Sequence, residues 1–228
     1  MEINPRYARN IHALSANDVL LLHTKKVCVV GCGGLGGYII ETLARLGVLH
    51  ITVVDYDVFE LSNLNRQLFS EEGLIGSYKA DAAVERIKKV NSDVKITGIK
   101  EKLTQKNAHE IIHRHDIVMD ALDNMETRLL LADVCAELQI PMIHGAVAGW
   151  YGQVAAIFPG DDILQKLFKN TNINRGIEKE LGNLPFTVAA VASIQCAECV
   201  KVLTGKNIKQ NTLTTVDLLN NTIKDIQI

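Results

Sequence analysis

Three short stretches of this sequence place residue types that suit phosphate chemistry close together. Gly31-Cys32-Gly33-Gly34-Leu35-Gly36 has G-x-G-x-x-G spacing and follows the apolar run at residues 26–30. Glycines there allow a tight turn and close backbone approach to phosphates, and a helix opening on them presents free N–H groups and a positive dipole end. Asp55 ends the next apolar run about 20 residues on, where a carboxylate can accept from ribose hydroxyls. Arg66 follows in a polar loop, and Gly76-Ser77-Tyr78-Lys79 sets a lysine in the first turn of a helix. A cation there opposes the helix dipole, so an anion nearby would give it a reason. Asp120-Ala121-Leu122-Asp123-Asn124 then carries carboxylates at the end of a third apolar run, where open α/β sheets bind ligands. Arginine, lysine and a strand-end aspartate together suit a triphosphate with Mg²⁺. The glycine fingerprint alone reads as a dehydrogenase, but hydride transfer needs none of these cations and carboxylates.

The elements that must position these residues alternate along the chain. Strands are expected at 26–30, 50–54, 95–99, 117–122 and from 142. Helices are expected at 35–46, 77–90, 105–113 and 125–139, from apolar residues at helical spacing and from stops at Gly47 and Pro141. On the helix at 77–90, Ala80, Ala83, Val84, Ile87 and Val90 share the apolar face, and Lys79, Glu85, Arg86 and Lys89 lie off it. Such alternation predicts an α/β fold, a doubly wound, Rossmann-like, mostly parallel sheet covered on both faces. The rhythm changes after Gly152. A strand at 153–158, a polar crossover segment at 161–184, an apolar helix at 187–203 and a hairpin turning at Asn220-Asn221 predict a C-terminal antiparallel β extension. No repeat or linker interrupts residues 1–228, so one domain is expected, preceded by a helical arm at 5–22. That arm is too apolar for a free tail and has no place in the alternation; an arm crossing a two-fold axis would bury its leucines in a dimer interface.

Composition narrows the function classes. The 228 residues are 47% hydrophobic and 22% charged, with four prolines, which excludes a disordered or low-complexity chain. Lys+Arg is 24 and Asp+Glu 26, a net charge of −2, so nucleic acid is not an expected partner. Apolar runs stop short of the roughly 20 residues a bilayer requires, so no membrane association is expected. The N-terminal sequence has no apolar leader, and five cysteines sit mostly inside apolar segments. A reduced, cytoplasmic protein is the expectation.

The segments GCGGLG, VVDYDVFELSNLNRQ, GSYKADAA, DALDNMETR, HGAVAGWYGQV and SIQCAECVKVLTG resemble the ThiF/MoeB/HesA family, bacterial relatives of ubiquitin-activating enzymes, over residues 6–218. The resemblance implies an ATP- and Mg²⁺-dependent adenylyltransferase that activates the C-terminal glycine of a small ubiquitin-like sulfur-carrier protein ending in Gly-Gly and releases pyrophosphate. By that resemblance Asp55 holds the ribose, Asn63, Arg66 and Lys79 contact the phosphates, and Asp123 orients Mg²⁺. Gly31, Gly33, Gly34, Gly36, Asp57, Gln67 and Leu122 complete the nucleotide-binding set. The opening Arg6-Tyr7-Ala8-Arg9 resembles the family's arm, in which Arg9 reaches ATP on the other subunit of a homodimer. The catalytic set is then Arg9, Arg66, Lys79 and Asp123.

Other readings stay open beside it. A superfamily relative could modify a tRNA base or a peptide, and a non-catalytic scaffold could share the fold, although joint retention of Arg66, Lys79 and Asp123 disfavours the scaffold. Many members of the family bind zinc through two C-x-x-C pairs; here Cys196-Ala197-Glu198-Cys199 stands alone inside an apolar helix, so no zinc site is expected. Residues 136–195 contain no cysteine, so the sulfur-handling cysteine some members carry in the crossover is missing. His109-Glu110-Ile111-Ile112-His113 matches H-E-x-x-H, but its isoleucines are needed against the sheet. Trp150 and Tyr151 could stack on a partner's tail or pack a loop.

Overall fold

The structure, a computed structural model, describes residues 3–168 and 178–228; residues 169–177 of the expected crossover segment lie outside the described residues. Eight strands form one sheet: β1 (Lys26–Val30), β2 (His50–Val54), β3 (Lys95–Ile99), β4 (Ile117–Asp120), β5 (Met142–Ala148), β6 (Tyr151–Ile157), β7 (Thr212–Asp217) and β8 (Thr222–Gln227). Their order is β3-β2-β1-β4-β5-β6-β7-β8. The pairs from β3 to β5 are parallel, and those from β5 to β8 are antiparallel. The C-terminal extension is thus a continuation of the parallel sheet.

Helices cover both faces: α1 (Ala16–Thr24), α2 (Gly34–Leu46), α3 (Lys79–Val90), α4 (Ala108–Ile112), α5 (Met125–Glu137), α6 (Ile163–Phe168), α7 (Glu178–Leu181) and α8 (Pro185–Leu203). Alternate side chains of a strand point to opposite faces, and the parallel strands are apolar on both. Val27 and Val29 join Ile39, Leu43, Ala83, Ile87 and Val191 in one core, while Cys28 and Val30 join Ile112, Leu131, Val134 and Ile163 in the other. Helix α8 is long and apolar enough to cross a membrane, which the expectation from run length missed. Its inner face, with Val188, Val191, Cys196, Cys199 and Leu203, is buried in the first core, which makes it a core helix.

The N-terminal arm packs in part on its own chain. A 3₁₀ turn at Pro5–Asn10 and then α1 fold back on the same chain. Val19 and Leu22 are fully buried there, contributing about 1.5–3 kcal/mol each. Asn91 donates from Nδ2 to the buried Tyr7 hydroxyl at 2.9 Å, and Arg6 donates to Asn91 Oδ1. A partner subunit is therefore not needed to cover these residues.

Candidate active site

The chain runs outward from β1 to β2 and β3, then returns to place β4 on the other side of β1, so the strand order reverses there. Outside the C-terminal ends of β1, β2 and β4 lies a cleft of about 560 Å³, within the size range of ligand sites. Gly31 leaves β1 with φ +102°, and a Cβ there would stand 2.5 Å from Ala121 O. At Gly36 a Cβ would stand 1.9 Å from Gly31 O. Only glycine lets this turn close and lets α2 start this near the strand. Gly33 is the N-cap and offers no side-chain cap to the first turn of α2.

Of the expected residues, Gly31, Gly33, Gly34, Asp55, Asp57, Arg66, Gln67, Lys79, Leu122 and Asp123 line this cleft. Asp55 takes the Cys32 N–H at 2.6 Å and the Asp57 N–H at 2.8 Å. Burial pushes its pKa up against those hydrogen bonds and Lys79. Lys79 is buried although it lies off the apolar face of its helix, and pairs with Asp57 at 3.0 Å. The anion that offsets the dipole is therefore Asp57. Arg66 is half-buried, with Nη1 donating to Ser62 O and Asn65 Oδ1. Asp57 most strongly, then burial and Asp123, push the Tyr56 phenol up. The Oε1 of Gln67 and Oδ1 of Asn183 are buried at the cleft without a partner.

Three expected residues do not line the cleft. Gly36 packs behind the turn. Asn63 is buried in its own loop, where its side chain accepts from Glu60 N at 3.1 Å and its carbonyl accepts from Arg66 N and Gln67 N. It shapes the loop that presents Arg66 and Gln67. Arg9 is exposed on the arm and lies outside the cleft of its own chain.

The sequence reading also missed residues beneath the cleft. Asp120 is fully buried, with Arg128 Nε at 2.8 Å and His144 Nδ1 at 2.7 Å from Oδ2. Gln153 Nε2 donates to His144 Nε2 at 3.1 Å, and burial pushes the His144 pKa down, so the ring is neutral between them. A signal was present: Arg128 stands in the first turn of α5, as anomalous against the dipole as Lys79.

The decoy motifs have structural partners. His109 pairs with Glu137 at 2.7 Å and His113 Nδ1 bonds backbone carbonyls of its own helix. Burial pushes the Cys196 thiol up to about 12 and Cys199 well above its usual value. Among the described residues, no three metal-binding side chains converge. Mg²⁺ commonly binds through one or two carboxylates plus substrate phosphates, and Asp123 with the neighbouring Asp57 suits that pattern. Trp150 packs on Phe186 with ring centroids 4.9 Å apart, and both remain exposed.

A doubly wound sheet with a glycine turn, a buried lysine and carboxylates at its switch point defines a nucleotide-binding domain. The sequence pattern of the ThiF family matches residues 7–228, and the chain belongs to that family. It is 37% identical over 187 residues to the SAMP-activating enzyme E1 of Haloferax volcanii, covering 80% of this chain and 68% of that protein. It is 34% identical to the sulfur carrier protein ThiS adenylyltransferase of Bacillus subtilis, covering 90% and 62%, and 34% identical to the adenylyltransferase and sulfurtransferase MOCS3 of Culex quinquefasciatus, covering 89% and 47%. The chain thus spans only half to two thirds of these relatives' length, and its homologues are adenylyltransferases of the ThiF/MoeB type. Among solved structures, E. coli MccB with MccA-N7isoASN matches all of this chain and 72% of its own at TM-score 0.83 and 19% identity. MccB with ATP matches 99% and 71% at TM-score 0.81 and 20% identity. At those identities the likeness is one of fold.

Proposed function

We propose that this chain is an ATP-dependent adenylyltransferase that activates the C-terminal glycine carboxylate of a small ubiquitin-like sulfur carrier. The observation that supports it best is the convergence of Asp55, Arg66, Lys79 and Asp123 on one cleft over a glycine turn. A carboxylate ionised at pH 7 attacks the α-phosphorus of ATP itself, forming a mixed acyl-phosphate anhydride as the bond to pyrophosphate breaks. No side-chain base is required; alignment and charge neutralisation are. Asp55 accepts from the ribose, the α2 N-terminus and Arg66 face the phosphates, and Lys79 shifts between Asp57 and substrate. Mg²⁺ held by Asp123 would supply neutralisation of phosphate charge. The setting we propose is the cytoplasm, in keeping with five buried, unpaired thiols.

The test is ATP–pyrophosphate exchange with Mg²⁺ and a purified carrier ending in Gly-Gly, with a short peptide acid as a second arm. Exchange only with the carrier supports the proposal. Exchange only with the peptide favours a peptide-modifying activity, for which the MccB-like fold is the supporting observation. No exchange with either defeats both.

We further propose a homodimer in which Arg9 completes the partner's site. The exposed position of Arg9, away from its own cleft, motivates this. Mixing Arg9→Ala with Asp123→Ala, each nearly inactive alone, should restore activity through heterodimers holding one intact site. A mixture that stays inactive despite demonstrated subunit exchange would sink the trans assignment.

A further inference from the structure

Arg128 contacts no residue previously assigned a role in nucleotide binding except through one peptide. Its Nη2 donates to Leu122 O, and Asp120 Oδ1 accepts from Leu122 N at 3.0 Å. Both polar groups of the Leu122 residue are thereby gripped by one buried ion pair, closed by the 2.8 Å contact between Arg128 Nε and Asp120 Oδ2. The pair is itself braced. His144 stands on Asp120 Oδ2, Gln195 Nε2 donates to Asp120 O at 2.9 Å, and Arg128 Nη2 also reaches Gly145 O at 3.4 Å. Asp123 follows immediately, its side chain exposed at the cleft.

Resting on the function proposed above, we propose that Arg128 is a positioning residue that acts through Leu122 to set the direction of the Asp123 carboxylate. A buried ion pair seldom justifies itself by stability alone, because desolvation offsets most of its attraction. A residue that orients a metal ligand typically changes metal affinity 10–100-fold when altered. Arg128 could instead touch phosphate directly, since it lines the cleft, but Nε and Nη2 are already engaged by Asp120, Leu122 and Gly145.

The experiment is a double-mutant cycle on equilibrium ATP binding, read by calorimetry with Mg²⁺ and again with EDTA. Arg128→Lys keeps the charge and loses the planar fork. It should weaken Mg·ATP binding about tenfold and leave Mg²⁺-free binding within about twofold. In the Asp123→Ala background it should add less than about twofold, because coupled residues are non-additive. Additive losses would assign Arg128 to the phosphates, and a lowered Tm with unchanged Mg·ATP affinity would leave it a merely structural residue; either overturns the inference. If Arg128→Lys does not fold, the isosteric Asp120→Asn goes through the same cycle with the same expectations. Wild-type protein that binds no Mg·ATP defeats the function itself, and this inference with it, whereas an intact wild type with an inert Arg128 defeats the inference alone.

Discussion

Two concavities among the described residues are of nearly equal size, and one of the two is built for chemistry. The cleft at the switch point measures about 560 Å³. The other, about 610 Å³, lies over β2 and β3 where the short α4 leaves the sheet's second face open, its lining including Lys26, Lys95, Arg114, His50 and His115 against the carboxylates of Glu101 and Glu110. The groove is the more basic of the two, and on charge alone it would be the better anion site. Its charged side chains, however, are exposed and able to leave, and His115 is already paired to Thr52 at 2.8 Å. The cleft holds its lysine and one aspartate buried, leaves two amide oxygens unpaired, and opens on a helix N-terminus. Volume does not distinguish a site; fixed, incompletely satisfied polar groups do.

The contrast can be tested from its strongest consequence downward. Gly36→Ala forces a Cβ onto Gly31 O and should cost about 3 kcal/mol by urea unfolding, with ATP binding lost even in the folded fraction because the phosphate turn must open. Retention of both stability and ATP affinity would show that the turn is not tightly packed. Asp123→Ala comes next: a roughly 100-fold fall in Mg²⁺-dependent pyrophosphate exchange, about 2.7 kcal/mol, with little change in Tm because the residue is exposed. Exchange at the wild-type rate would remove Asp123 from the metal.

Effects in the groove should be smaller and confined to stability. Burial holds the His115 pKa below its ordinary 6.5. The unfolded chain then binds the proton that the native state resists, so stability is full above that range and declines as pH falls through 6.5. His115→Gln should flatten the stability curve between about pH 7 and pH 5 by less than ~1 kcal/mol, and leave exchange unaltered. An equally steep curve in the variant would assign the dependence elsewhere. Least of all, Lys95→Ala combined with Arg114→Ala should change exchange by less than about twofold, as surface substitutions remote from a site do. A tenfold loss would erase the distinction between the two concavities.

Much of this architecture was written locally. The short apolar runs, the glycine stops and the helical spacing of Ile39, Leu43, Ala83 and Ile87 determine strand–helix alternation, because each pattern reports one element's own burial. The same holds for the glycine fingerprint, Asp55, Lys79 and Asp123, whose types and positions at element ends already indicate a nucleotide. The tertiary structure decided what depends on neighbours far along the chain. Asn63 turned inward because Glu60 and the backbone of its own loop claim it, and Lys79 became buried because Asp57 stands 3.0 Å away. Val19 and Leu22 of the arm found cover on their own chain while Leu21 stays exposed, and α8 is a core helix because α2, β5 and β6 receive its face. The Asp120–Arg128–His144 network joins the end of β4, the first turn of α5 and β5. The place of Arg128 in the first turn of α5 hints at a buried cation, but no local pattern names its partners, since a buried charge is tolerable only where partners from separate elements arrive together to replace the water it has lost.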